Sequence, residues 1–124
     1  MSNRTPEEIL QSIVEGINAG KIEALMTLYE PESCFALQPG EIVRGQQGVR
    51  QSLQGFIDMK GILELKVMRV IRTGNLALVI SKWTFNGTGT NGSPANLTGT
   101  AADVLRQQSD GTWRMIIDNP WGTV

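Results

Sequence analysis

Histidine is missing altogether, and cysteine occurs only once, in a chain of 124 residues. The first absence excludes Ser-His-Asp and Cys-His nucleophilic machinery within the chain. Together the two exclude in practice a zinc site, which draws on several His or Cys ligands. No remaining side chain titrates near neutrality unaided, the lone thiol loosely excepted. Any acid or base is therefore expected to be a carboxylate, Lys or Tyr tuned by burial. Cys34, in "SCFAL", has no partner for an internal disulfide and no histidine to activate it, so it reads as a small buried apolar side chain. An excess of either charge is also lacking: 11 Lys and Arg face 12 Asp and Glu, with no block of like sign. A nucleic-acid partner, which needs a basic face, is not expected. Nor is a membrane partner, because no run is long and apolar enough to span a bilayer. The opening "MSNRTPEEIL" lacks the basic-then-apolar form of an export signal, so the expected compartment is the cytoplasm. In that setting the Asn-x-Ser/Thr triplets at Asn3, Asn86, Asn91 and Asn96 read as turn-rich sequence.

What is present is a globular composition, 40% hydrophobic and 19% charged, with neither repeat nor linker, and a single domain spanning 1–124 is expected. Thr5, Pro6 and Glu8 form the start signal of a first helix, with Ile9, Leu10, Ile13, Val14 and Ile17 on one apolar face and "NAG" as its stop. A second short helix carries Ile22, Leu25, Met26, Leu28 and Tyr29, and ends at Glu30 because Pro31 disfavours helical backbone before it. "SCFALQ" and "EIVR" read as strands joined at Pro39-Gly40, and Gly45 leads a third helix to about Lys60. Four β segments follow, at Ile62 to Arg72, Leu76 to Phe85, Leu97 to Gln107 and Thr112 to Asn119, separated by turn signals. Helices first and long antiparallel strands last predict an α+β fold.

Three stretches carry candidate chemistry. "GTGTNG", from Gly87 to Gly92, has the spacing of a dinucleotide loop, but a turn and a strand follow where a helix N-terminus would have to meet the phosphates. It reads as a hairpin loop, and no cofactor is expected. Asp103 lies inside "AADVL", where alternation groups it with Ala101 and Leu105. A carboxylate there either pairs with an arginine such as Arg69, Arg72 or Arg114, or faces a cavity. In the last strand, alternation groups Trp113, Met115 and Ile117 on one face and Arg114, Ile116 and Asp118 on the other. Asp118 and Asn119 either cap the reversal into Pro120 or line a pocket that Trp121 folds over. Two carboxylates sharing such a pocket would push at least one pKa upward.

The element order, with "INAGK", "LMTLY", "VRGQ", "ADVLR", "DGTWR" and "IDNPWG" at Ile17, Leu25, Val43, Ala102, Asp110 and Ile117, resembles the nuclear transport factor 2-like superfamily across nearly the whole chain. That superfamily includes ketosteroid isomerase and the SnoaL-like polyketide cyclases. The resemblance implies a cone: a curved antiparallel sheet of about six strands wrapped around the first of three helices. It also implies a homodimer formed through the outer sheet face. Isomerase members use an Asp base, with a Tyr and a protonated Asp as an oxyanion hole, a system that also serves as a general illustration of a carboxylic acid kept neutral at pH 7. By position the base falls on Leu37, or Gln38 if the loop slips, and the tyrosine near Ile13; only the oxyanion-hole carboxylate has a match, Asp103. Steroid isomerisation is therefore not expected. The expected role is binding of a small, mostly apolar molecule in the cone, with Asp103, Asp118, Asn119, Trp121, Ile13 and Leu37 around it. The alternatives are an isomerase, cyclase or dehydratase whose acid-base group is Asp103 or Asp118, and a dimerisation module with a filled cone.

Overall fold

The computed structural model describes residues 4–123, so the Asn3 triplet lies outside the described residues. Helix α1 (Pro6–Ala19) starts where the capping signal predicts: the Thr5 hydroxyl accepts from the Glu8 amide and the Glu8 carboxylate accepts from the Thr5 amide. Gly20, in the left-handed region at φ 69°, closes it. Helix α2 (Ile22–Met26) packs on it so closely that a Cβ on Gly16 would lie 2.7 Å from the Leu25 side chain.

The second helix stops earlier than its apolar pattern predicts. The Thr27 hydroxyl donates to the Ala24 carbonyl, and strand β1 (Tyr29–Gln38) begins at Tyr29, not at Ser33. The cause is tertiary. The Leu28 carbonyl accepts the Met115 amide at 2.8 Å, and Tyr29 is drawn into parallel register with Met115. Pro31, which has no amide to donate, falls where the pairing lapses between Tyr29 and Cys34.

Strand β2 (Glu41–Arg44) and helix α3 (Gly45–Asp58) follow, then β3 (Ile62–Thr73), β4 (Leu76–Thr88), β5 (Pro94–Gln107) and β6 (Trp113–Asp118). One sheet results, in the order β2-β1-β6-β5-β4-β3. It is mixed, not wholly antiparallel as expected, because β1 and β6 run parallel. The Gly-rich stretch is the β4–β5 hairpin, with Gly87 already paired to Ala95, and β5 follows directly with no helix to receive a phosphate. Irregularities in the β3–β4 and β5–β6 ladders, together with sheet twist, curl the sheet around α1. The inner face, with Ala77, Val79, Trp83, Phe85, Ala101 and Leu105, closes over Ile9, Leu10 and Ile13 of α1 as one core.

The irregularity in β5–β6 decides which way the last strand points its carboxylate. Val104 pairs with Ile117 but Leu105 with Met115, so Ile116 is an extra residue on the β6 side. A bulge of this kind reverses the alternation beyond it. Asp118 therefore joins Trp113 and Met115 on the buried face while Ile117 turns outward, 40% exposed. The face grouping read from alternation is corrected at this point.

Candidate functional site

A cavity of about 70 Å³ lies between α1, α3 and the inner sheet face. That is several times the roughly 10–15 Å³ that a single water requires. Its wall includes Ile13 of α1, Phe56 of α3, Phe35 of β1, and Trp83, Phe85 and Met115 of the sheet. Among the described lining residues, the ionisable side chains are Asp103 and Asp118.

Asp103 is brought to the cavity by β5 and Asp118 by the bulged end of β6, and both are buried. The two carboxyl groups face the same cavity, and each bears on the other's proton affinity. Among the described residues no arginine forms an ion pair with Asp103. Among the described residues, Arg72 lies over the Trp113 ring at 4.8 Å, and the ion pairs are Arg50–Glu23 and Arg106–Glu30. Instead the Asn119 amide donates to Asp103 Oδ1 at 2.8 Å, and the Tyr29 hydroxyl donates to Asp118 Oδ2 at 2.5 Å.

These contacts set the electrostatics. Burial raises Asp103 well above the usual carboxylate range and the Asp118 charge raises it further, against the opposing pull of the Asn119 amide. Burial also raises Asp118, but the Tyr29 hydroxyl and the Asp103 proton stabilise its anion and hold it at about 6. Tyr29 is pushed well above 10 by burial and by the neighbouring Asp118 charge, so the phenol keeps its proton. Both carboxyls thus hold their protons more tightly than free ones do, and no lining residue among those described supplies a countercharge. Nor is there, among the described residues, a group of three or more side chains able to hold a metal ion.

The other expected residues divide. Ile13 lines the cavity. Leu37 does not: its side chain is 37% exposed, and Phe35 is the β1 residue that reaches the interior. Leu37 takes part through its carbonyl, which accepts the Trp121 indole at 3.2 Å. Asn119 acts through its backbone amide, while its side chain donates to the Gly122 carbonyl. Trp121 sits behind the wall, edge-on to Trp83 at 5.5 Å. Trp83 in turn donates to the Pro120 carbonyl at 2.7 Å. "DNPWG" is thus both a turn and a wall. Tyr29 is the polar residue that sequence reasoning missed, having been placed on the apolar face of the second helix. Its signal was available: it is the sole tyrosine, two residues before a proline.

Three helices against a six-stranded, open, curved sheet define an α+β cone of the nuclear transport factor 2-like kind. A family model for the SnoaL-like domain matches residues 10–115, and the chain belongs to that family. No protein of curated function matches the sequence. Among solved structures, a Thiobacillus denitrificans protein provisionally described as a calcium/calmodulin-dependent protein kinase type II association domain aligns with TM-score 0.79 at 16% identity, covering 100% of this chain and 99% of its own. A Novosphingobium aromaticivorans protein provisionally described as a scytalone dehydratase aligns with TM-score 0.79 at 16% identity, over 90% of this chain and 77% of its own. A ketosteroid isomerase-like protein from Erwinia carotovora atroseptica gives 0.76 at 16% identity, over 90% and 88%. At such identities the likeness speaks for the fold alone.

Proposed function

We propose that the cone is a proton-transfer site for a compact, mostly apolar small molecule, in chemistry of the isomerase or dehydratase kind. The observation that carries this reading is the adjoining pair of buried carboxyls in an otherwise apolar cavity. Burial makes both hold their protons more tightly than free carboxyls do, Asp118 to about 6. A site of that kind holds an acid and a base ready at the same pH. The ionised member takes a proton from a carbon or oxygen of the ligand, and the protonated member donates to an oxygen on which charge develops. The cavity volume favours a small ligand over a steroid.

The test is isomerisation of 3-cyclohexenone, a compact β,γ-unsaturated ketone, followed by the absorbance of its conjugated product. Asp118→Asn and Asp103→Asn should each abolish turnover, and a β,γ-unsaturated ketosteroid should not be turned over above background. Binding without turnover, seen as amide shifts at Ile13 and Phe85, would instead favour a pocket that carries a ligand without reacting it. Absence of both across a panel of compact ketones and alcohols would remove the small-molecule reading and leave an assembly module with a filled cone.

In this reading the working unit is a homodimer in the cytoplasm. Ile71, Leu78, Val104 and Ile117 form an apolar row across four strands of the outer face, with Ile71 50% exposed. A second copy presenting the same row is the self-complementary cover for it.

A further inference from the structure

We propose that Tyr29 is the positioning residue of the carboxyl pair: its hydroxyl assigns the negative charge to Asp118 and so leaves the proton of the pair on Asp103. Tyr29 does not line the cavity. It stands behind it at the start of β1, 2% exposed, and its hydroxyl has Asp118 as its partner.

The two carboxyls compete for one charge, and each receives one donor from the protein frame. Asp118 receives the phenol at 2.5 Å, and Asp103 receives the Asn119 amide at 2.8 Å. A short O–H bond to an anion is stronger than an N–H bond of ordinary length, so the charge settles where the phenol points. Other elements offer nothing that tips the balance. Among the described residues facing the pair, α1 presents Ile13, α3 presents Phe56, and β4 presents Trp83 and Phe85, none of them titratable. The pair is thus symmetric in chemistry and asymmetric through one hydroxyl. Replacing that hydroxyl by hydrogen leaves the Asn119 amide as the one frame donor among the described residues, and the preference should then pass to Asp103.

The inference rests on the carboxyl pair acting as an acid–base unit, but its experiment needs no ligand. Failure to turn over any substrate and failure of this assignment are therefore separately visible. Carbon-detected NMR titration of both side-chain carboxyls, in the unmodified chain and in Tyr29→Phe, is the measurement. In the unmodified chain Asp118 should ionise first. In Tyr29→Phe its midpoint should rise by about one to two pH units, the worth of a hydrogen bond to a charged group, while Asp103 becomes the first to ionise. A merely structural tyrosine would lower the melting temperature and leave the order of ionisation unchanged, and that result would overturn the proposal. Should Tyr29→Phe fail to fold, the Tyr29 Cζ resonance of the unmodified chain decides: it should follow the Asp118 midpoint. A Cζ resonance that follows Asp103, or neither group, overturns the assignment.

Discussion

Replacing Asp118 by Asn tests the electrostatics of the cavity without any ligand, because a raised proton affinity in the folded state is also a statement about stability. Unfolded, Asp118 releases its proton near 3.8; folded, it holds it to about 6. Between those values the unfolded chain has lost a proton that the folded chain still binds, so rising pH favours unfolding. The stability is fully present below the unfolded value and is lost as pH climbs through the folded one. With both groups buried, the difference corresponds to about 3 kcal/mol, at about 1.4 kcal/mol per pH unit. Asn cannot ionise, but its amide can accept from Tyr29 and donate to Asp103, so the hydrogen bonds survive in altered form. The variant should therefore match the parent near pH 4 and exceed it progressively toward pH 7. Urea titrations at half-unit pH steps measure this directly. For a slope of about 2 kcal/mol per molar urea, the gap between midpoints should open by roughly 1.5 M. Glu23 and Asp110, whose pKa values are lowered by exposed partners, contribute equally to both proteins and cancel in the difference. A gap that stays constant between pH 4 and pH 7 would refute the reasoning, since Asp118 would then ionise equally easily in both states.

Ile13→Asp should be severely destabilising, by more than about 3 kcal/mol, because a third carboxyl enters a mostly apolar cavity whose described lining offers no countercharge; a barely altered thermal melt would mean that α1 is not enclosed by the sheet. Gly16→Ala should destabilise by about 1–2 kcal/mol: the helix gains up to about 1 kcal/mol in propensity, but the new methyl meets Leu25, which is fully buried and has nowhere to move. Denaturation in urea checks the sign. Trp83→Phe removes the donor to the Pro120 carbonyl and should cost about 1–3 kcal/mol, read in the same assay. Sedimentation should give a dimer at micromolar concentration, and Ile117→Lys should yield a folded monomer; a parent that sediments as a monomer would remove the case for a covered outer face.

Local signals settled much of this architecture before any tertiary contact entered. Thr5, Pro6 and Glu8 place the start of α1 because a cap is satisfied within one turn. The alternation around Asp103 also reads directly from the chain, since β5 pairs regularly with β4 along its whole length. Leu37 shows where counting along the chain fails: β1 pairs irregularly with β2 between Ala36 and Gln38, and the side chain ends outside. Tyr29 and Asp118 needed the assembled fold for the same reason. Tyr29 has a helical neighbourhood in sequence and becomes strand only because Met115, far along the chain, takes the Leu28 carbonyl. Asp118 turns inward only because β5 and β6 disagree by one residue in register, a property of two strands together and of neither alone. The hydrogen bond between Tyr29 and Asp118 spans 89 positions. Helix caps and strand alternation are energies of neighbouring residues and can be read from a string. The carboxyl pair and the hydroxyl behind it arise from non-local pairing, and only the folded sheet brings them together.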